Sequence, residues 1–412
     1  MARKIEKLAI DGGPKAKQHP FGSGPKHVPS EKDAVCRVLD RGSIPFARGP
    51  EVMELRAAFS KLYRAKHCIT TNSGTSAIHA ATGALGIGRG DEVITSPVTD
   101  AGTIIAIMAQ NAVPVFADVD PVSLNMTPEG IAQRITPRTK AILVVHLAGN
   151  PCDMGRIMAL ARKHKLFVVE DLAQSYLCEY KGKLCGTFGH LGCFSLNDSK
   201  HIGAGDGGMV ITNDAALADR ADLFADKCYD RTGQGRKPFF LGYNYRMNLL
   251  AAAVGFDQLK RVKHICDRRH RLGVKLSKGI ADLPGIIPHK VLPGCKCTYW
   301  YYLFHVDTSK LTVNMDTYVK ALSAEGIGVS RSLAVNIMDW PLFKDKVFNP
   351  HACAWACPLY KGQVDYDIRH FPGLQKGVQG TLRTSLNEHF TDQDISEMVR
   401  GIRKVTLHYA KA

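Results

Sequence analysis

The sequence predicts an α/β fold with a mainly parallel sheet and helices on both faces. Short apolar runs bounded by turn residues alternate with helical patterns from residue 70 to residue 169, and runs of this length are typical of buried strands. Repeated strand–helix units favour a parallel sheet, because each helix returns the chain to the same edge before the next strand begins. The chain has 412 residues and 45% hydrophobic content, enough for one large and one smaller domain.

The N-terminal part predicts an arm that leads into the large domain. Residues 1–30 show a turn at 10–14 and little periodicity, so we expect an extended arm. Ser30 is expected to cap the first helix, with Asp33 at the reciprocal position of a capping box. The large domain is expected over residues 31–250. Its pattern predicts helices at 51–63, 77–85, 102–109, 128–135, 154–164 and 215–225, and strands at 93–95, 113–116, 141–146, 167–169, 193–196 and 209–212.

The C-terminal part predicts a second, smaller domain. A helical pattern from Leu249 to about Lys278 is expected to bridge to it, so residues 251–281 are assigned to a long linking helix and 282–412 to the domain. This domain shows a strand pattern at 299–306 and helical patterns at 315–325 and 392–405.

One stretch, from residue 168 to residue 208, concentrates the residues that could carry chemistry. An apolar run ends in Glu170 and Asp171, and a second run is followed by Lys200 and a glycine-rich turn. Charged residues in such places are typical of a binding site in an α/β protein. A partly desolvated lysine can form a Schiff base, and a buried carboxylate could keep a pyridinium nitrogen protonated. A single lysine in a polar loop is more often simply solvated. The motifs around Lys200 must therefore show whether it has a functional role.

An ordered set of motifs around Lys200 resembles the DegT/DnrJ/StrS family of sugar aminotransferases, which use pyridoxal 5'-phosphate (PLP). The similarity extends from about residue 8 to residue 405, and such a set is far more specific than one short pattern. It implies an aspartate-aminotransferase-like fold of type I, with a mainly parallel seven-stranded sheet and a smaller α+β C-terminal domain. The matching residues are Glu170, Asp171, Ala173, Gln174, 180–183, 186–189, 192–195, Ser199, Lys200 and 205–212.

The resemblance also implies roles for individual residues. Lys200 resembles the Schiff-base lysine, which would hold the cofactor aldehyde and then move a proton as general acid and base. Asp171 resembles the aspartate that pairs with the pyridine nitrogen, and Gln174 resembles the glutamine near the phenolic oxygen. Lys200 and Asp171 are therefore the expected catalytic residues. The structural alternative for Asp171 is an ion pair with an arginine.

Other positions match residues that bind the cofactor phosphate. Gly74 and Thr75 open a helix, where unpaired amides form an anion site, and Ser195 lies in the second apolar run. Asn244 matches an asparagine that reaches the phosphate of the neighbouring subunit, which implies a homodimer with shared active sites. The alternatives are helix capping by Ser73 or Thr75, a core hydroxyl at Ser195, and a turn residue at Asn244.

The chain departs from the family at Asp100. Many members carry an aromatic residue or a histidine there, which stacks on the cofactor ring, whereas a carboxylate stacks poorly and costs free energy when desolvated. We expect either another side chain over the ring or a contact between Asp100 and a cationic or hydroxyl-rich substrate. His146 also matches a family segment, and a buried structural role is at least as strong an alternative.

Composition argues against several other classes of protein. The net charge of +16 comes from dispersed basic residues, and without a nucleic-acid motif we expect no nucleic-acid partner. No apolar run approaches the length of a membrane span, and the first residues lack the core of a signal peptide. The 12 cysteines are mostly single, and no cluster has the spacing of a zinc site. We expect a cytoplasmic protein with no membrane partner and no metal.

The expected activity is transfer of an amino group from glutamate or glutamine to a keto sugar, nucleotide-linked or free, or to a keto cyclitol. Such a reaction would serve antibiotic and other secondary-metabolite or polysaccharide biosynthesis, with the amino donor and the keto acceptor as small-molecule partners. Two alternatives remain open: a PLP-dependent sugar dehydratase or eliminase, and a non-enzymatic regulator that binds PLP. Related dehydratases often lack the lysine, so Lys200 favours amino transfer.

Overall fold

The computed structural model describes residues 6–44, 49–231, 237–331, 337–346 and 354–411. It confirms the predicted α/β class, because a seven-stranded and mostly parallel sheet lies at the centre of the large domain. A two-stranded hairpin is separate from this sheet. In chain order the strands are β1 (His67–Thr71), β2 (Glu92–Thr95), β3 (Val113–Phe116), β4 (Thr139–Val145), β5 (Phe167–Asp171), the hairpin strands β6 (Glu179–Tyr180) and β7 (Lys183–Leu184), β8 (Leu191–Ser195) and β9 (Gly208–Thr212).

The strand order of the sheet is β1-β9-β8-β5-β4-β2-β3. The pairs from β8 to β3 run parallel, as repeated strand–helix units favour, whereas β9 runs antiparallel to both β8 and β1. Carboxyl ends of parallel neighbours meet at one edge of a sheet, which is where α/β proteins place their sites. Asp171 ends β5 and Ser195 ends β8, so both residues reach this edge.

Helices cover both faces of the sheet. Alternate residues of β4 enter different cores: Ile142 and Val144 belong to one, and Leu143 and Val145 belong to the other. Because both faces are buried, the central strands read in the sequence as continuous apolar runs. The helices of this part are α1 (Pro29–Asp40), α2 (Pro50–Tyr63), α3 (Gly74–Ala84), α4 (Ala101–Met108), α5 (Pro128–Ala132), α6 (Met154–His164) and α7 (Ala215–Ala225).

The first helix is capped differently from the prediction. α1 starts at Pro29, whose missing N–H suits the first turn of a helix. Glu31 rather than Asp33 reaches back to the start, and its Oε2 accepts the amide of Val28 at 2.6 Å. Ser30 lies inside the helix, so the prediction that it caps α1 is wrong.

The long helix predicted from residue 249 to about 278 is two helices, α8 (Leu249–Leu259) and α9 (Val262–Ile280). At the break, the amides of Lys260 and Arg261 bond to carbonyls three residues earlier, at 3.2 and 3.0 Å. The side chain of Arg261 donates to Glu31 of α1 and to the carbonyl of Lys26 in the arm. Neither proline nor glycine stands at these two positions, so the local pattern gave no sign of the break.

The chain after α9 forms an antiparallel sheet with helices packed on it, which is the predicted α+β arrangement. β11 begins later than the predicted strand at 299, because Tyr299 has a left-handed φ of 43° that interrupts extended backbone. The strands are β10 (Ile286–Ile287), β11 (Tyr302–Val306), β12 (Val329–Ser330) and β13 (Thr381–Thr384), in the order β10-β11-β13-β12. The helices are α10 (Met315–Ala324), α11 (Pro341–Lys344), α12 (Pro372–Gly380) and α13 (Asp392–Tyr409).

The N-terminal arm packs against the C-terminal part of the chain. Leu8 is fully buried in that core, and Lys17 forms ion pairs of 2.7 Å with both Asp394 and Glu397. The carboxylate of Glu325 accepts two arm amides, at 2.7 and 2.8 Å. Buried ion pairs of this kind fix the course of an otherwise irregular segment.

The described ranges have mostly buried cysteines, and their helices lack what a membrane-spanning helix needs. None of their helices is long and apolar enough to cross a membrane. Most of their cysteines are buried, and burial raises the pKa of Cys68 and that of Cys266 to about 12. Thiols with such a pKa stay protonated and unreactive at neutral pH, so Cys68 and Cys266 serve as packing residues.

Candidate active site

The carboxyl edge of the sheet opens into a cavity of about 510 Å³. Its walls come from the ends of β5 and β8, the starts of α3 and α4, the loop after β8, and one residue of the C-terminal part, Trp300. These segments are far apart in the chain, and only the parallel sheet brings their ends together. The predicted site residues that line the cavity are Gly74, Thr75, Asp100, Asp171, Gln174, Ser195 and Lys200.

Lys200 presents a partly buried amine to this cavity. Its Nζ lies 4.0 Å from the centre of the Trp300 ring. Burial lowers the pKa of Lys200, while the negative charges of Asp171 and Asp100 act in the opposite direction. A lowered pKa leaves more of the amine unprotonated at neutral pH, which is the form that attacks a carbonyl. Lys200 is therefore not a fully solvated loop residue, and within the part of the chain that the structure describes it forms no ion pair at hydrogen-bond distance.

Asp171 offers a buried carboxylate that, within the described ranges, forms no ion pair at hydrogen-bond distance. The residue is 4% exposed, its Oδ2 accepts the Thr103 hydroxyl at 2.8 Å, and its Oδ1 accepts the Ala173 amide at 3.0 Å. Burial raises the pKa of Asp171, and these two donors and the charge of Lys200 offset only part of the rise. Among the described residues no arginine pairs with this carboxylate, which disfavours the structural alternative for Asp171.

The start of α3 forms a cradle of free amides beside β8. Ser73 caps the helix, and its Oγ accepts the Ser76 amide at 3.1 Å. The amides of Gly74 and Thr75 make no hydrogen bond among the described residues, as expected for the first turn of a helix. A Cβ on Gly74 would lie 2.7 Å from the Ser195 Cβ, so only glycine fits there. Free amides, a hydroxyl and the positive end of a helix dipole suit a phosphate group.

Gln174 and Asp100 flank the carboxylate on the cavity wall. The Oε1 of Gln174 accepts the Ala148 amide at 3.0 Å and the Tyr301 hydroxyl at 3.3 Å, which fixes the side chain at the rim. Asp100 caps α4, and its Oδ1 accepts the Gly102 amide at 2.8 Å. Helix capping gives Asp100 a structural role that the sequence interpretation did not include.

Asn244 is the predicted site residue that does not line the cavity. It is exposed, and its backbone forms an isolated bridge with Asp226. A role for Asn244 in a site therefore requires a second chain, as the resemblance implies.

Three residues near the cavity were missed from the sequence. Thr103 holds Asp171, Trp300 covers the amine of Lys200, and the guanidinium of Arg383 lies 4.4 Å from the Tyr301 ring and 5.9 Å from the Trp300 ring. Arg383 is close enough to lower the pKa of Lys200 further. The aromatic run at 299–302 was a usable signal for Trp300, whereas Thr103 and Arg383 carry no motif of their own.

Glu170, next to Asp171, holds the loop that follows the hairpin. Its two oxygens accept the amides of Gly186, Phe188 and Gly189 at 2.7 to 2.8 Å. Its Oε2 also lies 3.1 Å from the Nε2 of His146, which is fully buried away from the cavity. Glu170, His146 and Cys185 could approach one ion, but the hydrogen bonds of Glu170 and His146 already occupy their ligand atoms. These residues stiffen the strand end that carries Asp171.

The fold and the site together define an aminotransferase of fold type I. The chain belongs to the DegT/DnrJ/EryC1/StrS aminotransferase family, whose sequence model matches residues 25–399. This confirms the resemblance drawn from the motifs around Lys200. The family and its structural neighbours are PLP-dependent aminotransferases.

Named relatives match over nearly the full chain. GDP-perosamine synthase of Escherichia coli O157:H7 is 32% identical, over 90% of this chain and 98% of its own length. The L-glutamine:2-deoxy-scyllo-inosose aminotransferase of Micromonospora echinospora is 31% identical, over 97% of both chains. The solved structure of an aminotransferase from Psychrobacter cryohalolentis, 28% identical, aligns with a TM-score of 0.82 over 95% of this chain and 100% of its own.

Proposed function

We propose that the protein is a PLP-dependent aminotransferase that moves an amino group from glutamate or glutamine to a keto sugar, nucleotide-linked or free, or to a keto cyclitol. The observation that carries the proposal is the pairing of a partly buried amine, Lys200, with a buried carboxylate, Asp171, in one cavity beside the free amides of α3. The relatives support it, since one is named for a nucleotide-linked amino sugar and another for amination of a cyclitol ketone.

The residues of the cavity fit PLP group by group. The amides of Gly74 and Thr75 and the hydroxyl of Ser195 would hold the phosphate, Asp171 would face the ring nitrogen, and Lys200 would bond to the aldehyde carbon. When bound, the cofactor carries the amino group between substrates and withdraws electrons from the substrate carbon. Asp171 would keep the ring nitrogen protonated, because a buried carboxylate without another cation gains most from a positive partner.

Lys200 is the group placed to move the proton. The amine of Lys200 would take the proton from the substrate carbon that carries nitrogen and would deliver it to the carbon that was the aldehyde carbon of the cofactor. Burial lowers the pKa of Lys200, so a larger fraction of the amine is unprotonated and available to take this proton. Trp300 covers one side of the amine and would limit its contact with water.

The substrates use the space between the carboxyl edge and the C-terminal part. Arg383 lies beside Trp300 and would supply the positive charge that the donor carboxylate needs. Asp100 keeps its second oxygen for a hydroxyl of the acceptor, because only Oδ1 caps α4 among the described contacts. Substrate contacts are expected from the loops at 99–103, 229–242 and 330–340, of which residues 232–236 and 332–336 lie outside the described residues.

A homodimer in the cytoplasm is part of the proposal. Asn244 would act on the phosphate bound by the partner chain, which explains a predicted site residue that lies outside its own cavity. Reduced thiols such as those of Cys68 and Cys266 are typical of proteins in a reducing compartment.

The decisive experiment is borohydride reduction of the protein after incubation with PLP, followed by peptide mapping. We expect one adduct, on Lys200, and none in Lys200→Ala. In a separate sample that has not been reduced, incubation with glutamine or glutamate should release an equal amount of 2-oxo acid, and candidate ketones should take up the nitrogen. An adduct on a different lysine would contradict the role of Lys200. Loss of water without transfer of nitrogen would identify the dehydratase alternative instead.

A further inference from the structure

The amine of Lys26, in the N-terminal arm, lies against the backbone of Lys200. Its Nζ donates to the carbonyl oxygen of Lys200 and, at 3.1 Å, to that of His201. Among the described residues, no other hydrogen bond reaches these two oxygens. The side chain of Lys26 therefore supplies the hydrogen bonds to the carbonyl oxygens of both Lys200 and His201, although it lies far away in the sequence.

Lys26 is itself anchored, and independently of the turn that it contacts. Its carbonyl accepts the side-chain amide of Gln258 at 2.9 Å and the guanidinium of Arg261 at 3.3 Å. Gln258 also donates to Glu31 of α1 at 3.0 Å. Residues at the break between α8 and α9 thus hold the backbone of Lys26 in place, and its side chain extends from there to the turn at 200–201.

Other hydrogen bonds hold this turn at different atoms: the Ser199 amide donates to Oδ1 of Asn197 at 3.1 Å, and the His201 ring lies 3.1 Å from the carbonyl of Thr298. Lys26 is the described residue that reaches the carbonyls of 200 and 201. The Lys200 amide donates to the carbonyl of Asn197 at 2.9 Å, and the Trp300 indole donates to that of Ser199 at 2.6 Å. We propose that Lys26 is a positioning residue, which fixes the backbone at 200–201 and so holds the Lys200 amine in place; this rests on the function proposed for Lys200. Carbonyls that lose their partner leave a turn free to move, and small misplacement of a reacting group costs rate.

Charges around Lys26 make the contact sensitive to pH. Burial lowers the pKa of Lys26 to about 8, Glu388 and Asp198 oppose this, and Arg269 and Arg261 add to it. An ammonium group donates stronger hydrogen bonds than a neutral amine. The hold on the turn should therefore weaken as the pH rises above this pKa.

Competitive acetylation of the cofactor-free protein, read by peptide mass spectrometry, tests the proposal without catalysis. We expect Lys26→Met to raise the pKa of Lys200 toward its ordinary 10.5, because a loosened amine becomes hydrated. The rate at which PLP bonds to the protein near neutral pH should fall roughly tenfold. Lys26→Arg keeps the donors and should stay within about twofold of wild type. The matched control, Lys32→Met on the exposed face of α1, should change neither quantity.

An unchanged Lys200 pKa and an unchanged bonding rate in folded Lys26→Met would overturn the proposal. If that variant does not fold, the acetylation rates of Lys26 and Lys32 in the wild-type protein test the contact. A hydrogen-bonded Lys26 amine should acetylate more slowly than Lys32 when both are corrected to the same unprotonated fraction. Equal rates would again overturn it. The pKa measurement needs no cofactor, so it tests Lys26 even if PLP never bonds to Lys200, an outcome that contradicts the proposed function instead.

Discussion

Asp171 is buried in the cofactor-free protein, and no described cation forms an ion pair with its carboxylate. Burial raises its pKa in the folded chain, whereas the unfolded chain ionises at the ordinary value. For a raised aspartate pKa, the stabilising contribution is fully present below the ordinary pKa and is lost as the pH rises through the folded pKa. At neutral pH this residue therefore weakens the cofactor-free protein, as expected for a group whose partner arrives with a ligand.

Asp171→Asn should consequently raise the stability of the cofactor-free protein and lower its activity. We expect the melting temperature of the cofactor-free protein at neutral pH to rise by about 2 °C, because a buried charge is removed. The gain should shrink as the pH falls toward the ordinary aspartate pKa. Amino transfer should fall by roughly a hundredfold or more, since the ring nitrogen loses its acid partner. Calorimetry across pH and an assay of 2-oxo acid release check both, with exposed Asp219→Asn on α7 as control. A lower melting temperature with full activity would contradict this account.

Among single site residues, the sequence predicts those that lie within one motif and misses those that distant parts of the chain contribute. Lys200, Asp171 and Ser195 fall within one continuous stretch, and all three line the cavity. Thr103 meets Asp171 across 68 positions of sequence, through a hydroxyl that no motif distinguishes. Lys26 meets Lys200 across 174 positions, so its role depends on the course of the arm.

The start of α3 is the element on which binding of an anion depends. Its first residue, Gly74, packs against the end of β8 so closely that an added Cβ would lie 2.7 Å from the Ser195 Cβ and 3.0 Å from its Oγ. The contact brings two free amides and one hydroxyl to the same place. Separating the two elements would disperse these donors without altering any of them.

Gly74→Ala should weaken the binding of PLP and of inorganic phosphate alike. The added methyl group must push α3 away from β8, at a cost of about 1–3 kcal/mol in stability. Titration of the cofactor-free protein with each ligand gives the dissociation constants, and calorimetry gives the stability. Gly88→Ala is the matched control, because a Cβ there meets nothing within 4 Å. Equal dissociation constants for Gly74→Ala and Gly88→Ala would contradict the proposed phosphate cradle.

The bounds of helices and strands were predicted best where the burial of apolar side chains alone determines the element. The strands of the large sheet have apolar side chains on both faces, and their patterns in the sequence agree with β2, β3 and β5 to within two residues. The break between α8 and α9 was missed because Arg261 bonds to Glu31 and Lys26, and such distant contacts leave no local signal. The cap of α1 was assigned to the wrong residue because Pro29, not Ser30, begins the helix.

For the whole molecule, the proposed homodimer would cover the exposed apolar surface near Asn244. Leu241 is 76% exposed and Phe239 is 57% exposed, both within five residues of Asn244. Large apolar side chains exposed in one segment are typical of a surface that another protein covers. Together with the placement of Asn244 outside its own cavity, this favours an interface between two copies of the chain.

Mixing inactive variants should restore activity if each site takes Lys200 from one chain and Asn244 from its partner. Refolded together in equal amounts, Lys200→Ala and Asn244→Ala chains should form mixed dimers as about half of the population. Each mixed dimer has one intact site, so the mixture should reach roughly a quarter of wild-type activity. Lys200→Ala mixed with Asp171→Asn is the control and should recover nothing, because both residues serve the cavity of their own chain. Activity no higher than the mean of the two variants would show that Asn244 serves no partner site.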